Sequence, residues 1–243
     1  MSNILVFDAS SSWCSAALSI NGKRYNSAQL QPRKHAQLIL PMIEDLCQQA
    51  GIKPHELDGI AFGKGPGSFT GLRIAISVAQ GLSLATGARL YGISSLQALA
   101  WQAMGQYSVK RVVAIMNAHM GEVFYAAYQI DECSKDSLLT LSAVIDDSLT
   151  KPELVDLTSL DAASGWMGAG DGLQFNSEMP QVTGVLNILQ EDVFPMAESM
   201  MEIALSAWQQ DKFTAAELQQ PVYLRDTVAW KKLAEQPSLL KKS

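Results

Sequence analysis

The chain has 243 residues, 48% of them hydrophobic and 17% charged, enough to build a sizeable core and too apolar for an intrinsically disordered chain. Its 18 Lys and Arg against 24 Asp and Glu leave a net charge of −6, with no basic block beyond pairs such as Lys231-Lys232 and Lys241-Lys242. A stand-alone nucleic-acid binder carries a basic stripe, so any role near nucleic acid is expected to run through partners.

No apolar run approaches the roughly 18 residues of a membrane span, and residues 4–7 are too short for a signal-peptide core. Cys14, Cys47 and Cys133 form no CxxC pair and fit a reducing compartment. The expected location is cytoplasmic, without membrane attachment.

Residues 4–7 form a continuous apolar run ending at Asp8 and a Ser-rich turn, which predicts a buried strand. Residues 14–20 predict a second strand, Asn21-Gly22 a type I′ hairpin turn, and residues 23–30 the returning strand. Residues 35–50 predict a helix stopped by Gly51. Further expectations are a strand over 58–63, a helix over 72–86, a strand over 89–93 and a helix over 95–104. A lobe boundary is expected at 105–108, giving lobes of 1–108 and 109–216, with a tail of about 217–243 packing back on the first.

The second half predicts strands over 111–116, 122–130 and 138–145, a turn over 117–121, and a helix over 146–160 despite Pro152. A strand over 165–170 enters the Gly170-Asp171-Gly172 turn, and a long helix is expected over 192–210 with Pro195 in its first turn. This order accommodates two similar βββαβα halves.

The chemical inventory is sparse. His35, His55 and His119 have no second ligand at helical spacing, so no metal site is expected. No G-x-S-x-G nucleophile motif occurs, and no catalytic residue is assigned. The loop Gly65-Pro66-Gly67-Ser68-Phe69-Thr70-Gly71 joins a strand to a helix, where converging N–H groups can hold an anion. It matches neither a Walker A loop nor the dinucleotide register, and a tight turn explains it as well. Asp8, Ser10, Ser11, Gly65, Gly67 and Ser68 are the candidate nucleotide or phosphate contacts.

The two first-lobe helices are more apolar than one sheet requires. In residues 35–50 the apolar positions span about 200°, and in residues 72–86 about 220°, against a need of somewhat over about 100°. Leu38, Ile39, Met42, Ile43, Leu46, Leu72, Ala75, Val78, Ala79 and Leu82 are therefore the candidate partner or dimer surface. Ala75, Ala79 and Gly81 are small enough to admit another helix closely. Burial under the chain's own second lobe is the alternative.

Several strings resemble the TsaB (YeaZ) family of tRNA threonylcarbamoyladenosine biosynthesis proteins. They are Ile4-Leu5-Val6-Phe7-Asp8-Ala9, His35-Ala36-Gln37, the run from Gly65 through Leu72-Arg73, Gly121-Glu122-Val123-Phe124-Tyr125, Gly165-Trp166-Met167-Gly168-Ala169-Gly170 and Pro221-Val222-Tyr223-Leu224-Arg225. Asn117 and Met120 depart from the family's usual Asp and Arg. The resemblance implies an α/β, actin-like ATPase fold of the sugar-kinase, Hsp70 and actin class, with two βββαβα-type lobes and the second degenerate. It also implies a non-catalytic subunit that binds and activates a TsaD-type catalytic subunit with a TsaE-type ATPase. The same helices would form a homodimer when the chain is alone. ATP or ADP would bind only in the complex, no cofactor would be intrinsic, and tRNA would be met only indirectly. Where the TsaD relative carries a His-x-x-x-His metal pair, this chain has Ser95 and Leu99. The rival expectation is an autonomous ATP-binding enzyme or a glycoprotease-type peptidase of the same superfamily.

Overall fold

In the computed structural model, which describes residues 2–131 and 141–225, the opening run becomes β1 (Ile4–Asp8), buried along its whole length. It pairs antiparallel with β2 (Trp13–Ile20), which pairs antiparallel with β3 (Lys23–Leu30). Asn21 and Gly22 have φ of 50° and 81°, the left-handed pair that a type I′ turn requires. Helix α1 (His35–Ala50) ends on Gly51 at φ 71°, whose N–H and that of Ile52 close the last turn. Strand β4 (Gly59–Gly65), helix α2 (Phe69–Thr86), strand β5 (Arg89–Ser94) and helix α3 (Ser95–Tyr107) complete the first lobe's elements. Ser68 and Ser94 cap α2 and α3 by accepting from Gly71 and Gln97 N–H groups.

The second sheet repeats the plan. It contains β6 (Arg111–His119), β7 (Glu122–Ile130), β8 (Leu141–Thr150), β9 (Trp166–Ala169) and, after a four-residue α4 (Val182–Val185), β10 (Leu186–Gln190). The strand orders are β3-β2-β1-β4-β5 and β8-β7-β6-β9-β10. In both, the first three strands form an antiparallel meander and the last two add in parallel. The last helix is α5 (Ala197–Gln209).

Several predicted boundaries move. Residues 146–150, expected to be helical, continue β8 and pair with β7, because Pro152 removes the donor a helix would need there. Beyond them the chain forms 3-10 turns at Pro152–Leu154 and Ala162–Ser164 in place of an α1 counterpart. Asp156 and Asp161 accept hydrogen bonds from Thr158 and from Ala163 and Ser164, local bonds that compete with a helix. The last helix starts at Ala197 rather than 192, since Pro195 biases Phe194 toward extended backbone. Its first N–H groups include that of Ala197, which donates to Ser15 Oγ at 2.9 Å. The 117–121 turn narrows, with β6 running to His119, and Gly170-Asp171-Gly172 leads into a 3-10 run over Asp171–Glu178. The strand β10 was not anticipated. Part of the 138–145 prediction, Cys133 and the Lys231-Lys232 and Lys241-Lys242 pairs lie outside the described residues.

The alternation of β1 sets the layers. Leu5 and Phe7 face α1 and α2 with Leu18, Ile60, Phe62 and Leu90. Ile4 and Val6 face α5, where Met200, Met201 and Ala204 are buried. Helix α3 covers the second sheet through Leu96, Leu99, Ala100 and Ala103 against Val112, Ala114 and Ala126. Helices α3 and α5 thus lie between the sheets, and residues 214–222 return to the first lobe, where Thr214 pairs with Leu90 and Val222 with Lys64.

Two glycines hold the first lobe's loops at backbone contact, and a third makes room for the Asp8 side chain. A Cβ on Gly71 would sit 1.9 Å from the Ala9 carbonyl oxygen, and one on Gly67 2.5 Å from that of Ser10. A Cβ on Gly63 would sit 1.8 Å from Asp8 Oδ1. By contrast, Gly81 on the outer side of α2 faces open space. Gly71→Ala is therefore expected to cost about 2 kcal/mol or more by overpacking, while Gly81→Ala adds about 0.5–1 kcal/mol from helix propensity. Urea unfolding of the pair checks this. Equal midpoints for Gly71→Ala and the parent would contradict the close packing.

Candidate functional site

The two lobes enclose a cavity of about 500 Å³. One wall comes from the Ser10-Ser11-Ser12 turn after β1, the α2 start (Gly67, Ser68, Thr70, Gly71, Ile74) and the α1 entrance at His35. The other comes from the end of β6 (Met116, Asn117, Ala118, His119), Phe124, Asp171 and Phe194. His35 is mostly buried and donates from Nε2 to the Trp13 carbonyl at 3.2 Å. Asp171 accepts from the Asn117 N–H at 2.9 Å, and burial raises its carboxyl above the usual range. Sequence reasoning did not link His35, His119 and Asp171. Separated widely along the chain, they leave no local spacing to read. Among the described residues, no three His, Cys, Asp or Glu side chains converge as a metal cage.

The candidate nucleotide contacts do meet at this end of the first sheet, but largely to satisfy one another. Asp8 is fully buried, and its Oδ2 accepts from both the N–H and the hydroxyl of Ser10, at 3.0 and 2.9 Å. The Ser68 N–H donates to the Ser10 carbonyl at 2.8 Å, and the Ser68 hydroxyl accepts from Gly71. Ser11 Oγ accepts from the Trp13 N–H. Gly65, joined to Pro66 by a cis peptide, is buried against the Val222 carbonyl. The amides and hydroxyls expected to cradle phosphate are thus mostly used within the protein, with Gly67, Ser68 and Ser11 still lining the cavity. Cys14 is also buried beside Asp8, and burial pushes its thiol up to about 12, far from nucleophilic use at neutral pH.

The two-helix surface needs a correction. Ile39, Met42, Ile43, Leu46, Leu72, Ala75 and Ala79 are buried within the chain itself, against its own first sheet. They are core residues, so a partner cannot touch most of their surface. Ala75 and Ala79 are small because the sheet lies beneath them. Of the ten, only Leu38, Val78 and Leu82 are partly exposed, and each still packs on that core. The apolar surface that remains lies further out: Leu40 and Phe69 are each 50% exposed and Leu84 is 90% exposed. Two shallow grooves flank the seam between the helices. One is lined by Leu40, Ile43, Cys47, Ile52 and Leu82, the other by Ala36, Phe69, Arg73, Ile74 and Val78. Helical arcs counted from sequence cannot separate the side facing the sheet from the side facing the neighbouring helix.

Ser95 and Leu99 sit one turn apart on α3 and are both fully buried. A Cβ on Gly170 would approach Leu99 Cδ1 at 2.8 Å, so Leu99 faces the β9 end beside Asp171. The Ser95 hydroxyl and Asp8 Oδ1 are buried with no hydrogen-bond partner.

Burial pushes the Asp8 carboxyl up to about 6 from 3.8, against the opposing hydrogen bonds from Ser10. The folded state holds this proton more tightly than the unfolded chain. Its contribution to stability is present below the unfolded pKa near 4 and is lost as pH rises through about 6, an effect of roughly 2–3 kcal/mol. Asp8→Asn keeps the acceptor for Ser10 and is expected to flatten this part of the stability-versus-pH curve. Urea unfolding from pH 4 to 7.5 checks this, and an unchanged slope in the variant would contradict the assignment.

Comparison with known proteins places this geometry in a family. Residues 28–233 match the family described as TsaD: tRNA N6-adenosine threonylcarbamoyltransferase. The tRNA threonylcarbamoyladenosine biosynthesis protein TsaB of Escherichia coli is 37% identical over 230 residues, covering 95% of this chain and 97% of that protein. The Haemophilus influenzae TsaB is 31% identical, covering 95% and 96% of the two chains. The solved structure of YeaZ from Pseudomonas aeruginosa superposes with a TM-score of 0.85 at 37% identity, covering 92% of this chain and all of that one. The duplicated strand order, the actin-like two-lobe plan and these full-length matches agree: the chain belongs to the TsaB (YeaZ) family of tRNA threonylcarbamoyladenosine biosynthesis proteins.

Proposed function

We propose that this chain serves tRNA threonylcarbamoyladenosine biosynthesis as a non-catalytic subunit. It docks and activates a TsaD-type catalytic subunit, and a TsaE-type ATPase joins the assembly. The observation that carries this reading is the apolar outer face of α1 and α2, with its two grooves and the exposed Leu40, Phe69 and Leu84. Alone, the chain pairs with a second copy through the same face. The matching names of full-length relatives support the pathway. Ser95 and Leu99 support the non-catalytic role, because a leucine offers a metal no donor and a neutral hydroxyl is a poor one. ATP or ADP enters only with the complex, tRNA is reached through the catalytic subunit, and the site of action is the cytoplasm.

Docking here shifts the partner toward its competent conformation by preferring that state. The test uses the outer face, not the core. Leu40→Glu combined with Ser77→Glu changes two exposed positions, so unfolding stability should move by less than about 1 kcal/mol. Affinity for the TsaD-type subunit, read by calorimetry, should fall by about 30-fold or more. Undiminished affinity in the folded double variant would refute the surface.

A second reading, an autonomous ATP-binding enzyme or glycoprotease-type peptidase, draws on the interlobe cavity. It requires heat on titrating ATP into the isolated chain. The scaffold reading expects none without the partner subunit.

A further inference from the structure

We infer that residues 221–225 form a clasp across the mouth of the interlobe cavity and set the separation of its two rims. The chain reaches this point already anchored. Thr214 and Leu90 exchange two backbone hydrogen bonds of 2.8 Å, and the Gln219 side chain accepts from the Gly92 N–H at 3.0 Å while donating to Thr214 Oγ1 at 2.7 Å. The Val222 N–H then donates to the Lys64 carbonyl at 2.7 Å, extending the β4 end.

From there the segment grips both rims in three residues. On the α2 rim, the Tyr223 ring lies 5.3 Å from that of Phe69, and Arg73 stacks 3.9 Å over Phe69 while donating to the Tyr223 hydroxyl at 3.4 Å. These residues adjoin Ser68, Thr70, Gly71 and Ile74, which line the cavity. Leu224 packs on the second lobe's core. On the opposite rim, Arg225 donates to the Ala118 carbonyl at 3.1 Å and the His119 carbonyl at 3.4 Å, and pairs with the Glu122 carboxylate. Ala118 and His119 themselves line the cavity. The turn that Arg225 grips has three successive left-handed residues, His119, Met120 and Gly121, at φ 59°, 57° and 76°. A non-glycine residue there carries conformational strain, so an external hold on its carbonyls helps keep it in place. All three acceptors share one guanidinium nitrogen, Nη2, whose charge-assisted hydrogens serve them, while Nη1 lies 3.5 Å from the Met120 sulfur. Because α3 and α5 lie between the sheets, release of the clasp would open the cavity mouth without parting the lobes.

The test is hydroxyl-radical footprinting of the full chain with residue-resolved tandem mass spectrometry, which separates Met116 from the exposed Met120 beside Arg225. Met116 lines the cavity and is 5% exposed, whereas Met200 and Met201 lie in the α5 layer at 0% and 1%. Arg225→Ala is expected to raise oxidation of Met116 by about fivefold or more and leave Met200 and Met201 unchanged, as a local opening requires. Glu122→Gln loosens the clasp from the other end with little change in shape, and should raise Met116 oxidation in the same selective way to a smaller extent. If Met116 stays protected in both variants, or all three methionines react faster together as in general destabilisation, the clasp is refuted.

Discussion

The architecture of the first lobe depends on one close backbone contact. The turn after β1 lies against the strand-to-helix turn before α2 so tightly that Gly67 and Gly71 have no room for a methyl group, and the Asp8 side chain leaves none at Gly63. The Ser10 carbonyl accepts from the Ser68 N–H, and Asp8 beneath it binds Ser10 twice. A helix start that is electrostatically suited to an anion is here met in part by the protein's own carbonyl and hydroxyl oxygens. The same contact fixes α2 against the sheet and thereby decides which of its residues face outward.

What faces outward follows from that placement. With Ala75 and Ala79 turned to the sheet, α2 presents Ile74, Ser77 and Val78 on its outer side, beside Ala36 of α1. The strap from Ala216 to Tyr223 covers an adjoining flank of α2, where Gln80 donates to the Ala216 and Gln219 carbonyls and Tyr223 meets Phe69. The broad apolar arc of this helix therefore serves three neighbours within the chain and leaves a narrower strip for a partner. That strip is smaller than the arithmetic of helical angles suggests, and it is displaced toward Leu40 and Phe69.

Much of the fold was legible because local chemistry and tertiary context agree. The continuous burial of 4–7, the Asn21-Gly22 turn and the Gly51 stop each have one compact physical cause. The errors cluster in the second lobe. Residues 146–150 include two aspartates and a serine, which look unlike a strand, yet they pair at the sheet edge where polar side chains are tolerated. There Asp147 even accepts hydrogen bonds from Ser94 and Tyr128, partners 53 and 19 residues away that no local pattern reveals. The cavity escaped for the same reason. His35, His119 and Asp171 come together only through the packing of two lobes. The glycine-rich loop was recognisable as a strand-to-helix turn, but its use of the Ser10 carbonyl was not, because that contact is tertiary.

The proposed role is to present a surface to a partner, beside an interlobe cavity whose first-lobe wall is partly hydrogen-bonded within the chain. The most direct measurement is threonylcarbamoyladenosine formation on tRNA by the TsaD-type subunit, assayed with the TsaE-type subunit and ATP, with and without this chain. The account predicts no product from this chain without the TsaD-type subunit, strong stimulation when both are present, and loss of that stimulation in the folded Leu40→Glu/Ser77→Glu form. Product formation by this chain without the TsaD-type subunit, or full stimulation by the double variant, would contradict it.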